Sequence, residues 1–271
     1  MMDKGQLLGL RALGRWDGDN PSPSVSHISP EDLLSLFAET AGAVAGALGG
    51  LDDWGLAGTV PGQHCSDLVA DRVAVGALLD AGLGVCSEES GLHEPHRPVV
   101  VVVDPLDGST NAAQGIPWYA TSFCAVDRLG ALSASVVNLV SGERYSATRG
   151  GGACRDGEPI RPSAAARLSD AIVGVSGWSP RPIPWRQYRA LGASALDLCA
   201  VADGRLDGFV DCHSHGPWDY LGAMLVCREA GAPMVDTAGR DLTTTDPQQR
   251  RTLLAAGTQS LLDELRAATG G

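Results

Sequence analysis

The sequence predicts an α+β first half and an α/β second half, with the change falling around residues 150–170. Three observations carry this. Val99 to Val103 are five consecutive valines, the signature of a strand buried on both faces. From Tyr119 to Ala147, strand-like residues run between turn signals at Asp127–Gly130 and Ser141–Glu143, which reads as an antiparallel meander. After residue 170, strand and helix patterns alternate. The division that follows is an extension over 1–29, an α+β part over 30–165 and an α/β part over 166–271.

Residues 15–30 are rich in Pro, Ser, Asp and Gly and read as a leader loop. Ser29 then caps a helix with Pro30 at its first position and Glu31 and Asp32 in its first turn. Leu33, Leu34, Leu36, Phe37, Ala41 and Val44 continue it at helical spacing to Gly49-Gly50. A second helix spans about Ser66 to Leu83, and Val85-Cys86 is a short strand leading to Ser87-Glu88-Glu89-Ser90. The valine strand stops at Asp104-Pro105. Gly150–Gly152 and Asp156-Gly157 make a tight, turn-rich segment. Beyond it come strand 171–176, helix 193–203, strand 206–211, helix 218–230, strands 233–236 and 252–256, and helix 258–268.

Hydrophobic residues make up 44% and charged residues 19%, too apolar a balance for a disordered chain. Twenty Lys+Arg against 32 Asp+Glu leave a net charge of −12, so the chain has no overall field for nucleic acid or anionic lipid. An anionic ligand therefore calls for bound cations, which points to a metal site. The apolar run Ala41–Leu51 is well short of the roughly 20 residues that span a bilayer, and residues 1–15 lack a continuous apolar signal. A cytoplasmic protein with no membrane partner is expected. The seven cysteines are odd in number, widely spaced and without CxxC, so reduced thiols in the core are expected.

Asp104-Pro-Leu-Asp107-Gly-Ser-Thr-Asn111 is the most informative segment. Taken singly, each residue is at home in a strand–turn–helix junction. Together, two carboxylates three apart at the end of a buried strand can converge on one hard cation, with the Leu106 carbonyl between them. Gly108 allows the sharp turn, and the amides of Gly108, Ser109 and Thr110 would then head a helix, where a phosphate can sit. Glu88-Glu89 upstream and Asp219 at a later helix start would complete such a centre.

These segments resemble the inositol monophosphatase family, whose pattern is an E-E pair, D-P-[IL]-D-G-[ST]-x-N, and W-D followed by E-A-G. Here they stand as Glu88-Glu89, Asp104–Asn111 and Trp218-Asp219 with Glu229-Ala230-Gly231. Gly192–Gly204 is similar to the family's G-[ST]-A-A-L-D-L segment, and Gly151–Gly157 to its glycine hairpin. The likeness runs over about residues 30–271.

The resemblance implies a layered α/β/α/β/α sandwich of the inositol monophosphatase/fructose-1,6-bisphosphatase type, a homodimer, hydrolysing a small phosphorylated substrate. It implies two or three Mg²⁺ ions, with Mn²⁺ as a substitute and Li⁺ as inhibitor. Carried over by position, Glu88, Asp104 and the Leu106 carbonyl hold one ion, and Asp104, Asp107 and Asp219 a second. Asp67 matches an acid beside the attacking water, which Glu88 and Ser109 align; Ser109 replaces the usual Thr. Gly108, Ser109, Thr110, Ala193, Ser194 and Asp211 fall at substrate positions, Asp211 as the acid that meets substrate hydroxyls.

Myo-inositol monophosphate is the favoured substrate. Fructose 1,6-bisphosphate, histidinol phosphate, a nucleotide 3′-phosphate or a specialised metabolite would go with the same motifs, and a regulatory binder would have lost a ligand. Ser87, where the family commonly has Gly, is expected to matter little. His213 and His215 lie outside the pattern and read as surface loop residues. Arg186 and Arg189 read as solvated arginines on a rim over 177–190.

Overall fold

The computed structural model describes residues 28–179 and 181–270. The expected leader thus lies almost wholly outside the described residues. The chain opens with α1 (Pro30–Gly49) and α2 (Cys65–Asp80), followed by β1 (Gly84–Ser87), β2 (Gly91–His93) and β3 (Val100–Asp107). After α3 (Ser109–Ala113) come β4 (Ala120–Asp127), β5 (Gly130–Asn138), β6 (Arg144–Thr148), β7 (Gly152–Arg155) and β8 (Glu158–Pro159). The rest is β9 (Ile172–Ser176), β10 (Gln187–Arg189), α4 (Ser194–Ala202), β11 (Gly208–Asp211), α5 (Pro217–Ala230), β12 (Met234–Asp236), β13 (Leu253–Ala256) and α6 (Gln259–Thr269).

Strands β1–β8 form one sheet in the order β2-β1-β3-β4-β5-β6-β7-β8, parallel only between β1 and β3. The second sheet is β10-β9-β11-β13-β12, parallel on the β10-β9-β11 side and antiparallel beyond. Alternation along the valine strand explains its composition. Val101 and Val103 pack with α1 and α2, whereas Val100 and Val102 face α4 and α5. A strand covered on both sides has no polar face to show.

The same logic repeats in the second sheet. Phe209, Leu253 and Ala255 meet the α4/α5 layer, while Val210, Leu254 and Ala256 meet α6. The layers are therefore α1/α2, the eight-stranded sheet, α4/α5, the five-stranded sheet and α6. Phe37 of α1 stacks on Phe123 of β4 with ring centroids 4.9 Å apart, pinning the first two layers. Gly222 brings α5 down onto β4, because a Cβ there would lie 2.7 Å from Ser122 Oγ.

The Ser29 cap forms as expected, its hydroxyl accepting from the Asp32 amide at 3.1 Å. All seven cysteines are free, with Cys86, Cys124, Cys199 and Cys227 buried. No described helix is long and apolar enough to cross a membrane. Three details differ from expectation. β3 does not stop at Asp104-Pro105 but runs to Asp107 across a bulge, which accommodates a proline without an amide to donate. The three-residue strands β2 and β10 carry too few residues to show a period.

Candidate active site

The acids singled out in the sequence arrive from the ends of separate elements. Parallel pairing aligns Ser87 with Val103, so Glu88 and Asp104 leave the sheet side by side. Asp219 comes from the first turn of α5, across the sheet's end. Glu88, Asp104 and Asp219 each place one carboxylate oxygen so that all three lie within 4.8 Å of one another. Asp107 sits beside them, with its oxygens accepting the amides of Ser194 at 3.2 Å and Ala195 at 2.8 Å.

Backbone amides orient these groups. Asp104 accepts from the Leu106 amide at 2.9 Å and Asp219 from that of Gly216 at 2.7 Å. Asp219 thus caps its helix and still turns an oxygen toward Glu88 and Asp104. Among the described residues no arginine forms an ion pair with Glu88, Asp104, Asp107 or Asp219.

Unpaired carboxylates at this spacing oppose one another's ionisation. Burial, then Asp219, holds Asp107 up at about 8. Asp104 is raised well above the carboxylate range by burial and by Glu88, Asp107 and Asp219. Glu88 is raised by the protein mass around it and by Asp219 and Glu89. Burial likewise raises Asp219. The donor set fits a hard divalent cation: all oxygen, anionic and with no arginine paired to it among the described residues.

Asp67, in the first turn of α2, accepts the His64 amide at 2.8 Å through one oxygen. Its other oxygen is buried without a hydrogen-bond partner among the described residues. Burial raises this carboxyl, and His64 and the nearby Ser109 hydroxyl partly offset the rise. Asp67, Glu88, Glu89 and Ser109 line a cleft of about 720 Å³ together with Gln63 and Arg250.

Gly108 is required twice over at the turn. Its φ is +85°, and a Cβ would meet Ala193 Cβ, Gly192 O and Trp118 O, each at 3.1 Å. That contact presses the start of α3 against the loop before α4, bringing Ser109 and Thr110 near Ala193 and Ser194. Asn111 clips the two loops, its Nδ2 donating to Trp118 O and Leu191 O, both at 2.8 Å.

Several residues behave differently from the sequence reading. Ser87 matters: its hydroxyl donates to buried Asp71 at 2.5 Å, tying β1 to α2. His213 is exposed, its ring packed over Gly177. His215 is not a surface loop residue. It is half-buried between Asp211, 2.8 Å from Nδ1, and Ser194, 2.9 Å from Nε2. Asp211 turns inward, accepting from the His213 and Leu253 amides as well. Arg186 and Arg189 are exposed, as expected. Arg250, with its guanidinium 5.1 Å above the Trp218 ring, gave no sequence signal because it sits in an irregular loop.

Comparison with known proteins agrees with this geometry. The sequence profile of the inositol monophosphatase family matches residues 69–269. A fructose-1,6-bisphosphatase/inositol-1-monophosphatase of Archaeoglobus fulgidus is 32% identical over 240 residues, covering 83% of this chain and 93% of that protein. An inositol-1-monophosphatase of Rhizobium meliloti is 35% identical, over 64% of this chain and 67% of its own. The solved structure of a Pyrococcus horikoshii protein, described as similar to inositol-1 monophosphatase, superposes with a TM-score of 0.75. It shares 26% identity over 88% of this chain and 95% of that one. Matching layers, a matching profile over most of the chain and an acid cluster at the end of the eight-stranded sheet lead to one conclusion: this chain is a phosphatase belonging to the inositol monophosphatase family.

Proposed function

We propose that the chain hydrolyses a small polyol or sugar phosphate, with myo-inositol monophosphate as the first candidate, at the Glu88–Asp104–Asp219 cluster. The observation that carries the reading is the convergence of three carboxylate oxygens within 4.8 Å with no arginine to balance them. Glu88, Asp104 and the Leu106 carbonyl would hold one Mg²⁺, and Asp104, Asp107 and Asp219 a second. Mg²⁺ bound there supplies Lewis acidity, offsetting phosphoryl charge and lowering the proton affinity of a water.

The chain's own groups do the rest. Ser109, beside Asp67, orients the attacking water, and the unpaired Asp67 oxygen is placed to take up its proton. The Ser109 and Thr110 amides at the head of α3 face the phosphoryl oxygens. Gly108 and Asn111 hold that turn against Ala193 and Ser194, fixing the polyol side of the cleft. The names of the Archaeoglobus and Rhizobium relatives support inositol monophosphate, and the former also favours fructose 1,6-bisphosphate.

The test is phosphate release from inositol 1-phosphate, fructose 1,6-bisphosphate, histidinol phosphate and 3′-phosphoadenosine 5′-phosphate, with and without Mg²⁺. Mg²⁺-dependent turnover that Asp104→Asn abolishes supports the reading. Metal-independent turnover, or turnover indifferent to Asp104→Asn, overturns it.

A further inference from the structure

The mechanism above accounts for the acids of the cleft and leaves its cation without a task. Arg250, in the loop before β13, lines the same cleft of about 720 Å³ as Asp67, Glu88, Glu89 and Ser109. Among the described residues lining it, Arg250 is the only basic one. Its guanidinium lies 5.1 Å from the centre of the Trp218 ring, and Nη1 donates to the carbonyls of Pro247 at 2.7 Å and Gln249 at 2.9 Å. The next residue, Arg251, is buried and anchors the loop. Its backbone exchanges bonds of 2.8 and 3.0 Å with that of His215, and its Nε donates to Asp241 O at 2.8 Å.

What the guanidinium leaves free is as informative. Three carboxylates share its cleft, yet among the described residues Arg250 forms no ion pair. Its Nε and Nη2 make no hydrogen bond among them either. An arginine that served to balance the protein's own acids would pair with one, as Arg240 does with Asp236 at 2.7 Å. Nε–H and Nη2–H run parallel along one edge of a guanidinium, spaced to meet two oxygens of one phosphate.

The reacting phosphate does not call for this edge. Bound Mg²⁺ and the Ser109 and Thr110 amides already meet its oxygens in the reading above. A cleft of this volume takes a whole small ligand rather than one phosphoryl group. A second anionic group on the same substrate is what a fixed, unpaired fork in that space would take.

We propose that Arg250 is a specificity residue that binds a second phosphate of the substrate, other than the one hydrolysed, and so extends the range from polyol monophosphates to sugar bisphosphates. The proposal rests on the phosphatase reading. No bond is made or broken at Arg250, which keeps its charge and holds the non-reacting phosphate through Nε and Nη2. The contact is the same before and during the chemical step, so it acts on KM rather than on kcat. Stacking on Trp218 fixes the side chain in advance and limits the freedom lost on binding.

The experiment compares substrates that differ by one phosphate. Initial rates with Mg²⁺ are measured on fructose 1,6-bisphosphate, fructose 1-phosphate, fructose 6-phosphate and inositol 1-phosphate, for wild type, Arg250→Gln and Arg250→Lys. The readout is the ratio of kcat/KM on the bisphosphate to that on the faster fructose monophosphate, with the detection limit standing in where a monophosphate is not hydrolysed. Such a ratio does not depend on how much of each variant folds. Wild type is expected to favour the bisphosphate by roughly tenfold or more, the range for hydrogen bonds to a charged group. Arg250→Gln is expected to bring the ratio close to one through a higher KM for the bisphosphate. Arg250→Lys, which keeps the charge and loses the fork, falls between.

A ratio unchanged in Arg250→Gln overturns the proposal, as does a wild type without preference for the bisphosphate. A fall in kcat shared by bisphosphate and monophosphates also overturns it and assigns Arg250 to the reacting phosphate. Hydrolysis of inositol 1-phosphate with no release from fructose 1,6-bisphosphate overturns it while the phosphatase reading stands. No release by wild type from any of the four substrates overturns the phosphatase reading, and the proposal with it.

Discussion

Two aspartates of this chain sit at opposite ends of the ionisation scale, and only one of them is paired with an arginine. Asp236, at the end of β12, holds the Arg240 guanidinium in two bonds of 2.7 and 3.0 Å, which with two backbone amides pushes its carboxyl down to about 2. Asp107, at the end of β3, is also held by two amides but has no arginine, and burial beside Asp219 pushes it up to about 8. Asp104, Glu88 and Asp219 share its condition. Asp236 comes with its counter-charge built in. The acids of the cleft have no arginine paired to them, which is the arrangement a protein uses when the counter-charge arrives from solution.

The contrast predicts opposite outcomes for the same chemical change. Asp104→Asn should cost roughly 10²–10³-fold or more in Mg²⁺-dependent kcat, the range for loss of one electrostatic stabiliser. In metal-free protein near pH 7 it should stabilise, by about 1 kcal/mol, since it removes a carboxyl that folding forces to take up a proton. Asp236→Asn should leave kcat close to wild type and destabilise by about 1–3 kcal/mol, the range for bonds to a charged group. Denaturant unfolding in chelator reads both signs, and a shared sign would break the comparison.

Next in size is the response to Mg²⁺. At a hundredfold excess over Kd a ligand of the folded state adds about 2.7 kcal/mol, at roughly 2–4 °C of Tm per kcal/mol for a chain of this size. Wild type should show this rise in thermal unfolding and Asp104→Asn little or none.

The pH dependence sharpens the same point. A carboxyl raised in the folded state favours folding while protonated, and that contribution is lost as pH climbs through its folded value. Metal-free protein should therefore lose stability between about pH 4, the unfolded value, and about 8, where Asp107 titrates. Saturating Mg²⁺ should flatten this slope, as measured by unfolding across the window. Asp236 acts in the opposite direction, its contribution fading as pH falls from 3.8 through about 2.

The smallest expected effect concerns Asp197, held up at about 7 by burial despite accepting a 2.8 Å bond from Trp118 Nε1. Asp197→Asn keeps the acceptor and removes the charge. It should change stability at pH 8 by a few tenths to about 1 kcal/mol in the stabilising direction, with kcat unaltered.

Much of this was legible in the chain itself. The buried valine strand, the Ser29 cap and the octapeptide Asp104–Asn111 each declare themselves within a few neighbouring residues, through burial on both faces, a capping hydroxyl and two acids around a turn. The parts that sequence did not reveal depend on partners distant in the chain. Asn111 clips a loop 80 positions away. His215 looked like a loop histidine because Ser194, 21 positions upstream, reaches it only once α4 and β11 are packed. Asp211 suited a substrate contact by position, yet local amides and His215 turn it inward. Hydrogen bonds of this kind impose no period and no composition, so they appear only in the folded chain.

The most direct test of the unpaired cluster is calorimetric titration of Mg²⁺ into metal-free protein at pH 7, in two buffers of different ionisation enthalpy. The account predicts binding accompanied by net release of protons from the raised carboxyls, and loss of both in Asp104→Asn. Absence of binding, or binding that releases no protons and survives Asp104→Asn, would contradict it.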